Sequence, residues 1–221
     1  MHRKLQLTQD GSYTIAAEDL RATYHSIFGA ASESMHVFIN AGLKPLMKKY
    51  DCINIFEMGF GTGLNALLSL QQANENNQKI FYETVELFPL KENEYSLLNY
   101  SKFLDDEMLQ IDFFKMHNCA EDLLFELNEN FSFIKHNTSL EDFETEKKFQ
   151  LIYFDAFAPS AQPELWTQKI FEKMFYIMSE DAVLVTYCSK GDVRRSLQAV
   201  GFGVEKLPGF YRKREMIRAK K

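Results

Sequence analysis

The stretch "FEMGFGTGLNALLSL", Phe56 to Leu70, decides the fold. An apolar run passes through Glu57, glycines follow at Gly59, Gly61 and Gly63, and Leu64, Leu67 and Leu68 then share one helical face. That order is a buried strand, a tight turn and a helix. Three glycines let the backbone take left-handed conformations and approach a ligand closely. A triphosphate-binding loop would continue with Lys-Ser or Lys-Thr, but Leu64 and Asn65 follow Gly63. The dinucleotide fingerprint Gly-x-Gly-x-x-Gly has a different spacing from Gly59-Phe60-Gly61-Thr62-Gly63. S-adenosylmethionine (SAM) has no phosphate and carries an ammonium and a sulfonium, so an acid before the turn suits it.

Working outward, "KIFYETVEL" (Lys79 to Leu87) reads as the next strand and ends near Glu86. An acid about twenty residues beyond such a turn is placed to accept from ribose hydroxyls. The candidate cofactor set is therefore Glu57, Gly59, Phe60, Gly61, Gly63, Asn65 and Glu86. Adenine contacts should follow the third strand, between Asn137 and Asp142, with Asn137 as the chosen residue.

The rest of the chain extends the alternation. "KLQLTQDGSYTI" signals a hairpin around Asp10-Gly11. Helices are expected over Ser32 to Leu46, from Pro89, over Ala120 to Leu127, over Pro163 to Met178 and over Gly191 to Val200. Strands are expected at Cys52 to Met58, Phe131 to Lys135, Phe149 to Phe157 and Ala182 to Cys188, with two more around Pro208-Gly209. Continuous apolar strands alternating with helices imply a mostly parallel sheet covered on both faces. The expected division is an N-terminal hairpin-and-helix extension over 1–50 and a SAM-binding domain over 51–221.

The chain has 221 residues, enough for one sizeable α/β domain, and no apolar run approaches a membrane span. Cys52, Cys119 and Cys188 suit neither a disulfide framework nor a metal site, which points to the reducing cytoplasm and to no metal. Net charge is −6, but from Thr186 onward ten basic residues face three acidic ones. That tail carries about +7, a patch for a polyanion on an otherwise acidic protein. Arg194, Arg195, Arg212, Lys213 and Arg214 are its candidate contacts.

"YFDAFAPSAQPELWT" (Tyr153 to Thr167) carries the chemistry. Asp155 ends a buried strand at the sheet's carboxyl edge, where open α/β folds bind ligands. Its carboxylate can accept from an amine and aim the nitrogen lone pair, and it borders the cofactor as well. Phe157 can stack on a planar substrate, while Pro159 and Pro163 stiffen the loop on the substrate side. An Asp of ordinary pKa, near 3.9, is a poor base, so Asp155 reads first as an orienting acceptor and second as a general base.

With "DGSYT", "ESMHVFINAGL", "GFGTGLNALL", "ELFPL", "VRRSLQAVGF" and "GFYRKREM", this stretch resembles the methyltransferases that complete 5-methylaminomethyl-2-thiouridine at the tRNA wobble position. The matches run in order from Asp10 to Met216. The resemblance implies a Rossmann-like, seven-stranded, mostly parallel sheet with a closing antiparallel hairpin. It implies methyl transfer from SAM to the primary amine of 5-aminomethyl-2-thiouridine in the anticodon stem-loop of tRNA. It also implies a free-standing form that works with a separate FAD-dependent oxidoreductase. Two other readings compete. A polyamine aminopropyltransferase shares the fold and a Tyr-His pair, here Tyr24-His25, although the basic tail fits RNA phosphates better. The third reading is a non-catalytic RNA-binding module.

Overall fold

The computed structural model describes residues 1–221. The chain opens with a small antiparallel sheet of β1 (Arg3–Leu7), β2 (Tyr13–Ala17) and β3 (Ala22–Thr23). Asp10 anchors its first turn. One carboxylate oxygen accepts from the amide of Ser12 at 3.0 Å, and the other accepts from the amide of Ser32 at 2.9 Å. Burial pushes the Asp10 carboxyl up, but the hydrogen bonds from Ser12 and Ser32 outweigh it and leave the pKa at about 2. Those bonds tie the hairpin to α1 (Ala30–Ser34), which continues as a π-helix over Met35–Leu43.

The main sheet follows. Its first unit is β4 (Cys52–Met58), α2 (Leu64–Asn76) and β5 (Lys79–Val85). Short helices α3 (Glu92–Tyr95) and α4 (Tyr100–Phe103) lead to α5 (Met108–Asn118). Then come β6 (Phe125–Asn128), β7 (Phe131–His136) and β8 (Phe149–Phe154). A 3₁₀ turn, Pro163–Trp166, precedes α6 (Gln168–Ile177), β9 (Met178–Thr186), α7 (Gly191–Val200), β10 (Gly203–Pro208) and β11 (Glu215–Lys220). The sheet order is β10-β11-β9-β8-β4-β5-β7-β6. Pairs among β9, β8, β4, β5 and β7 are parallel, and β11 enters antiparallel between β9 and β10.

The α/β fold with its closing hairpin is as expected, but the sheet has eight strands rather than seven. The eighth is β6, in a segment expected to be helical (Ala120 to Leu127). No helix forms there. Asp122 breaks the segment with a left-handed φ of 61° and an amide that donates to the Lys135 carbonyl at 2.9 Å. Phe125 then pairs with Phe133 across a tight turn. Sheet pairing outweighs a local helical pattern here. Pro89 does not open a helix either. The helix starts at Glu92, where Glu94 reaches back to accept from the Lys91 amide at 2.8 Å.

Apolar side chains fill both faces of the sheet. One cluster joins Ile15, Val37 and Phe38 of the N-terminal segment to Ile53, Leu67 and Phe113. The other joins Phe149, Trp166, Phe171, Met174 and Leu197. Residues 1–50 therefore share a core with the main sheet. The chain direction changes between β4 and β8, and the carboxyl ends of those two strands carry the glycine turn and Asp155. Open α/β sheets bind ligands at such a switch point.

Candidate active site

The glycine turn takes the conformations its sequence demands. Gly59, Gly61 and Gly63 have φ of 86°, 53° and 75°. A Cβ on Gly63 would lie 2.9 Å from the Phe60 ring and 3.1 Å from His117, so space as well as conformation requires glycine there. Phe60 turns its ring inward against His117 and Phe133. The amides of Gly59 and Phe60 both donate to the Val85 carbonyl at 3.1 Å, which fastens the turn to the end of β5.

Glu86 stands just beyond that strand end. One carboxylate oxygen accepts from the Gly61 amide and the other from the Phe88 amide, each at 2.8 Å. Two backbone donors thus hold the acid in place, with lone pairs left to accept from hydroxyls.

Asn65, in the first turn of α2, links two carboxylates. Its Nδ2 donates to Glu57 at 3.0 Å and to Asp155 at 2.8 Å. Its Oδ1 is buried without any protein partner. A buried acceptor left open is costly unless a ligand donor meets it. Glu57 is 1% exposed and sits beneath the cavity, so its role is to hold Asn65 rather than to line the site. Burial pushes the Glu57 carboxyl up, and the Asn65 hydrogen bond pulls it back.

Asp155 lies at the cavity floor. Burial raises its carboxyl pKa to about 7, with the Asn65 hydrogen bond lowering it, Glu33 raising it and Lys213 lowering it. The expectation of an ordinary carboxylate is therefore corrected: desolvation brings Asp155 into the range where a general base works at neutral pH. Lys213 pairs with Glu33 at 2.6 Å, and its ammonium lies 4.2 Å from the Tyr187 ring centroid. Tyr187 donates its hydroxyl to the Ala156 carbonyl at 2.8 Å. Lys213, read from sequence as a phosphate contact, is exposed, and its ammonium reaches across to Glu33 and Tyr187.

The cavity measures about 330 Å³ and is lined by the glycine turn, Asn65, Glu86, Thr138–Glu141, Asp155–Phe157, Gln162, Glu164 and Leu165. It falls within the size range of small-molecule sites. The N-terminal segment closes one side. Tyr24 meets Phe157 edge-on at 4.9 Å, and His25 stays neutral because burial lowers its pKa to about 4. Burial also pushes Tyr24 up to about 12, with the nearby Glu86 adding to it. Trp166 donates to the Phe157 carbonyl at 2.8 Å and fixes the loop after β8.

Placement differs from expectation at several residues. Asn137 is exposed and outside the lining, and Thr138, Ser139, Leu140 and Glu141 occupy that wall instead. Gly63 shapes the turn from outside the lining, and Pro159 also lies outside it. Arg195 is exposed and pairs with Asp192, whereas Arg194 is half-buried beside Glu215. Arg212 and Arg214 are exposed on the β10–β11 connection. The Thr138–Glu141 wall falls within the expected segment 137–142, although Asn137 itself does not line it, and Tyr24 was missed as a cavity residue, with only the Tyr24-His25 pair leaving a mark in the sequence.

A family profile described as S-adenosyl-L-methionine-dependent methyltransferase matches residues 107–221. The chain belongs to that family. The buried orphan Oδ1 of Asn65, the Glu86 carboxylate and the close-approach glycine turn fit a ligand with an ammonium and a ribose.

The methyltransferase is similar to proteins named tRNA 5-methylaminomethyl-2-thiouridine biosynthesis bifunctional protein MnmC. That of Leptospira interrogans (strain Fiocruz L1-130) is 31% identical over 227 residues, covering 96% of this chain and 34% of the relative. That of Azoarcus sp. (strain BH72) is 27% identical over 226 residues, covering 98% of this chain and 35% of the relative. The methyltransferase thus spans about a third of the length of these curated relatives. Among solved structures, MNMC2 from Aquifex aeolicus superposes with a TM-score of 0.82 at 25% identity, over 99% of this chain and 69% of the other. Spermidine synthase from Thermotoga maritima gives 0.51 at 12% identity, over 100% of this chain and 71% of the other, and shares the fold alone. No helix is long and apolar enough to cross a membrane.

Proposed function

We infer that this SAM-dependent methyltransferase methylates the aminomethyl nitrogen of 5-aminomethyl-2-thiouridine at the tRNA wobble position, giving 5-methylaminomethyl-2-thiouridine. One observation carries the reading: the Asp155 carboxylate, fixed by Asn65, shares a cavity with the glycine turn and Glu86. An acceptor there faces an amine and the methyl donor together. The names of these relatives point to the same nucleoside.

When bound, SAM supplies a sulfonium methyl group that passes to the amine nitrogen, the carbon–sulfur bond pair remaining on sulfur. Asn65 Oδ1 would accept from its ammonium and Glu86 from its ribose hydroxyls, while Thr138–Glu141 would hold its adenine. Asp155 accepts an amine N–H and aims the lone pair, which is the positioning that gives most of the acceleration in such a transfer. The nitrogen sheds one proton after attack. With a pKa of about 7 in the free protein, Asp155 can take it. Phe157 and Tyr24 cover the pocket and exclude water. The partner is the anticodon stem-loop, and an FAD-dependent oxidoreductase acts before this step to furnish the primary amine.

The test is incubation with methyl-labelled SAM and tRNA that lacks the final methyl, followed by digestion to nucleosides. Label should appear in 5-methylaminomethyl-2-thiouridine alone. Label in another nucleoside, or in none while SAM binds, overturns the assignment.

A further inference from the structure

The connection between β10 and β11 reads "GFYRKR", Gly209 to Arg214. Tyr211 within it is 56% exposed and has a left-handed φ of 53°. A non-glycine residue in that region is held there at a cost, and such residues gather at binding sites. Its ring stacks on Phe28 with centroids 4.5 Å apart and planes 26° from parallel. The Arg212 guanidinium carbon is 5.6 Å from the Phe28 centroid and 5.5 Å from that of Tyr211. Near-equal distances place the cation beside the stacked pair and not over its end; Tyr211 keeps 56% of its surface exposed, with the Phe210 ring tilted at 40° and 6.3 Å away.

Neither ring lines the cavity, but both are linked to residues that do. Phe28 follows Tyr24 and His25, which line it. Lys213, two residues beyond Tyr211, contacts Glu33 and the Tyr187 ring, and Tyr187 holds the Ala156 carbonyl next to Asp155. Three cations, Arg212, Lys213 and Arg214, lie on the same connection.

We propose that Phe28 and Tyr211, with Arg212 at their edge, form a stacking platform for an unpaired RNA base next to the nucleotide whose amine enters the cavity. This rests on the RNA reading given above. A substituent on a base stacked within a loop cannot reach a carboxylate at a cavity floor, so the nucleotide must leave its stack. Unstacking carries an energetic cost. An exposed aromatic ring replaces the contact that the neighbouring base loses, while the adjacent guanidinium meets its phosphate. A π face accepts any base, so the platform adds affinity without sequence choice.

The test uses the full chain and two synthetic single-stranded RNAs of anticodon-loop sequence, one intact and one abasic at the nucleotides flanking the wobble uridine. Tyr211→Leu should weaken binding of the intact RNA about ten- to a hundredfold. Tyr211→Phe should restore it, and SAM affinity should stay at the wild-type value in both variants. The salt dependence should keep its slope, because a ring releases no counterions. The abasic RNA should bind the wild type weakly and lose nothing further in Tyr211→Leu. Equal binding of intact RNA by wild type and Tyr211→Leu overturns the platform. So does an equal loss on both RNAs, which would mark Tyr211 as structural or as a contact for a protein partner. If neither RNA binds the wild type, the platform also falls. Methyl transfer to another nucleoside, with the stacking result intact, would fail the substrate assignment and leave the platform standing.

Discussion

Asn65→Leu tests the arrangement that links cofactor and chemistry. The substitution nearly preserves volume and deletes the donor that reaches Glu57 at 3.0 Å and Asp155 at 2.8 Å. A hydrogen bond to a charged partner is worth about 1.5–3 kcal/mol. At 1.36 kcal/mol per pH unit, losing it should raise the Asp155 titration midpoint by about one to two pH units above its value near 7. The direction is fixed because the Asn65 bond favours the ionised form and burial opposes it. The assay is a carbon-13 NMR titration of protein labelled at the aspartate carboxyls, with Asp155→Asn to assign the resonance. The same variant loses the open Oδ1 acceptor, so SAM affinity should also fall at least tenfold. A midpoint near 4 in the wild type, or an unchanged midpoint in folded Asn65→Leu, would refute the reasoning.

Three further predictions follow from the same geometry. Glu86→Ala should weaken SAM binding about ten- to a hundredfold by calorimetry, and unchanged affinity in a folded variant removes Glu86 from the site. Asp155→Asn should keep SAM binding within a few-fold and lose most single-turnover methylation. It should also melt higher than wild type at pH 8, with the gain vanishing towards pH 4. The sign follows from a folded pKa of about 7 above an unfolded one near 3.9, so the stability tied to the proton is full below pH 4 and lost as pH rises through 7. A variant no more stable at pH 8 contradicts the raised pKa. Replacing the exposed Arg195 and Arg214 with Ala should flatten the salt dependence of tRNA binding by roughly one to two in log–log slope and leave SAM affinity alone, and a wild-type slope would move the phosphate contacts elsewhere.

The cofactor half of the site was legible in the sequence because its constraints are local. Gly59, Gly61 and Gly63 stand for three left-handed residues, with an apolar strand before them and an apolar helical face after them. The Asp155 stretch was equally plain, since a buried strand ending in an acid marks the ligand edge of the sheet. What escaped notice depends on partners far along the chain. Ala120 to Leu127 read as a helix, but from Phe125 the chain pairs with β7 as an edge strand, and Leu123 and Leu124, in the bend before it, are more than half exposed. Helix α5 carried its signal in Leu109, Phe113 and Met116, spaced by four and three, within a stretch too mixed to divide with confidence from pattern alone. Lys213 is exposed as read, but its pairing with Glu33 stayed hidden because that residue is 180 positions away. The pKa of Asp155 was invisible for the same reason, as burial comes from the assembled core.

The most direct test of the central claim is a single-turnover reaction on a synthetic anticodon stem-loop bearing one 5-aminomethyl-2-thiouridine, read by tandem mass spectrometry at each nucleotide. The account predicts one added methyl group, on the aminomethyl nitrogen, and none on a stem-loop with unmodified uridine at that position. A methyl group on the ring, the ribose or another nucleotide would contradict it, as would an unchanged RNA in the presence of bound SAM.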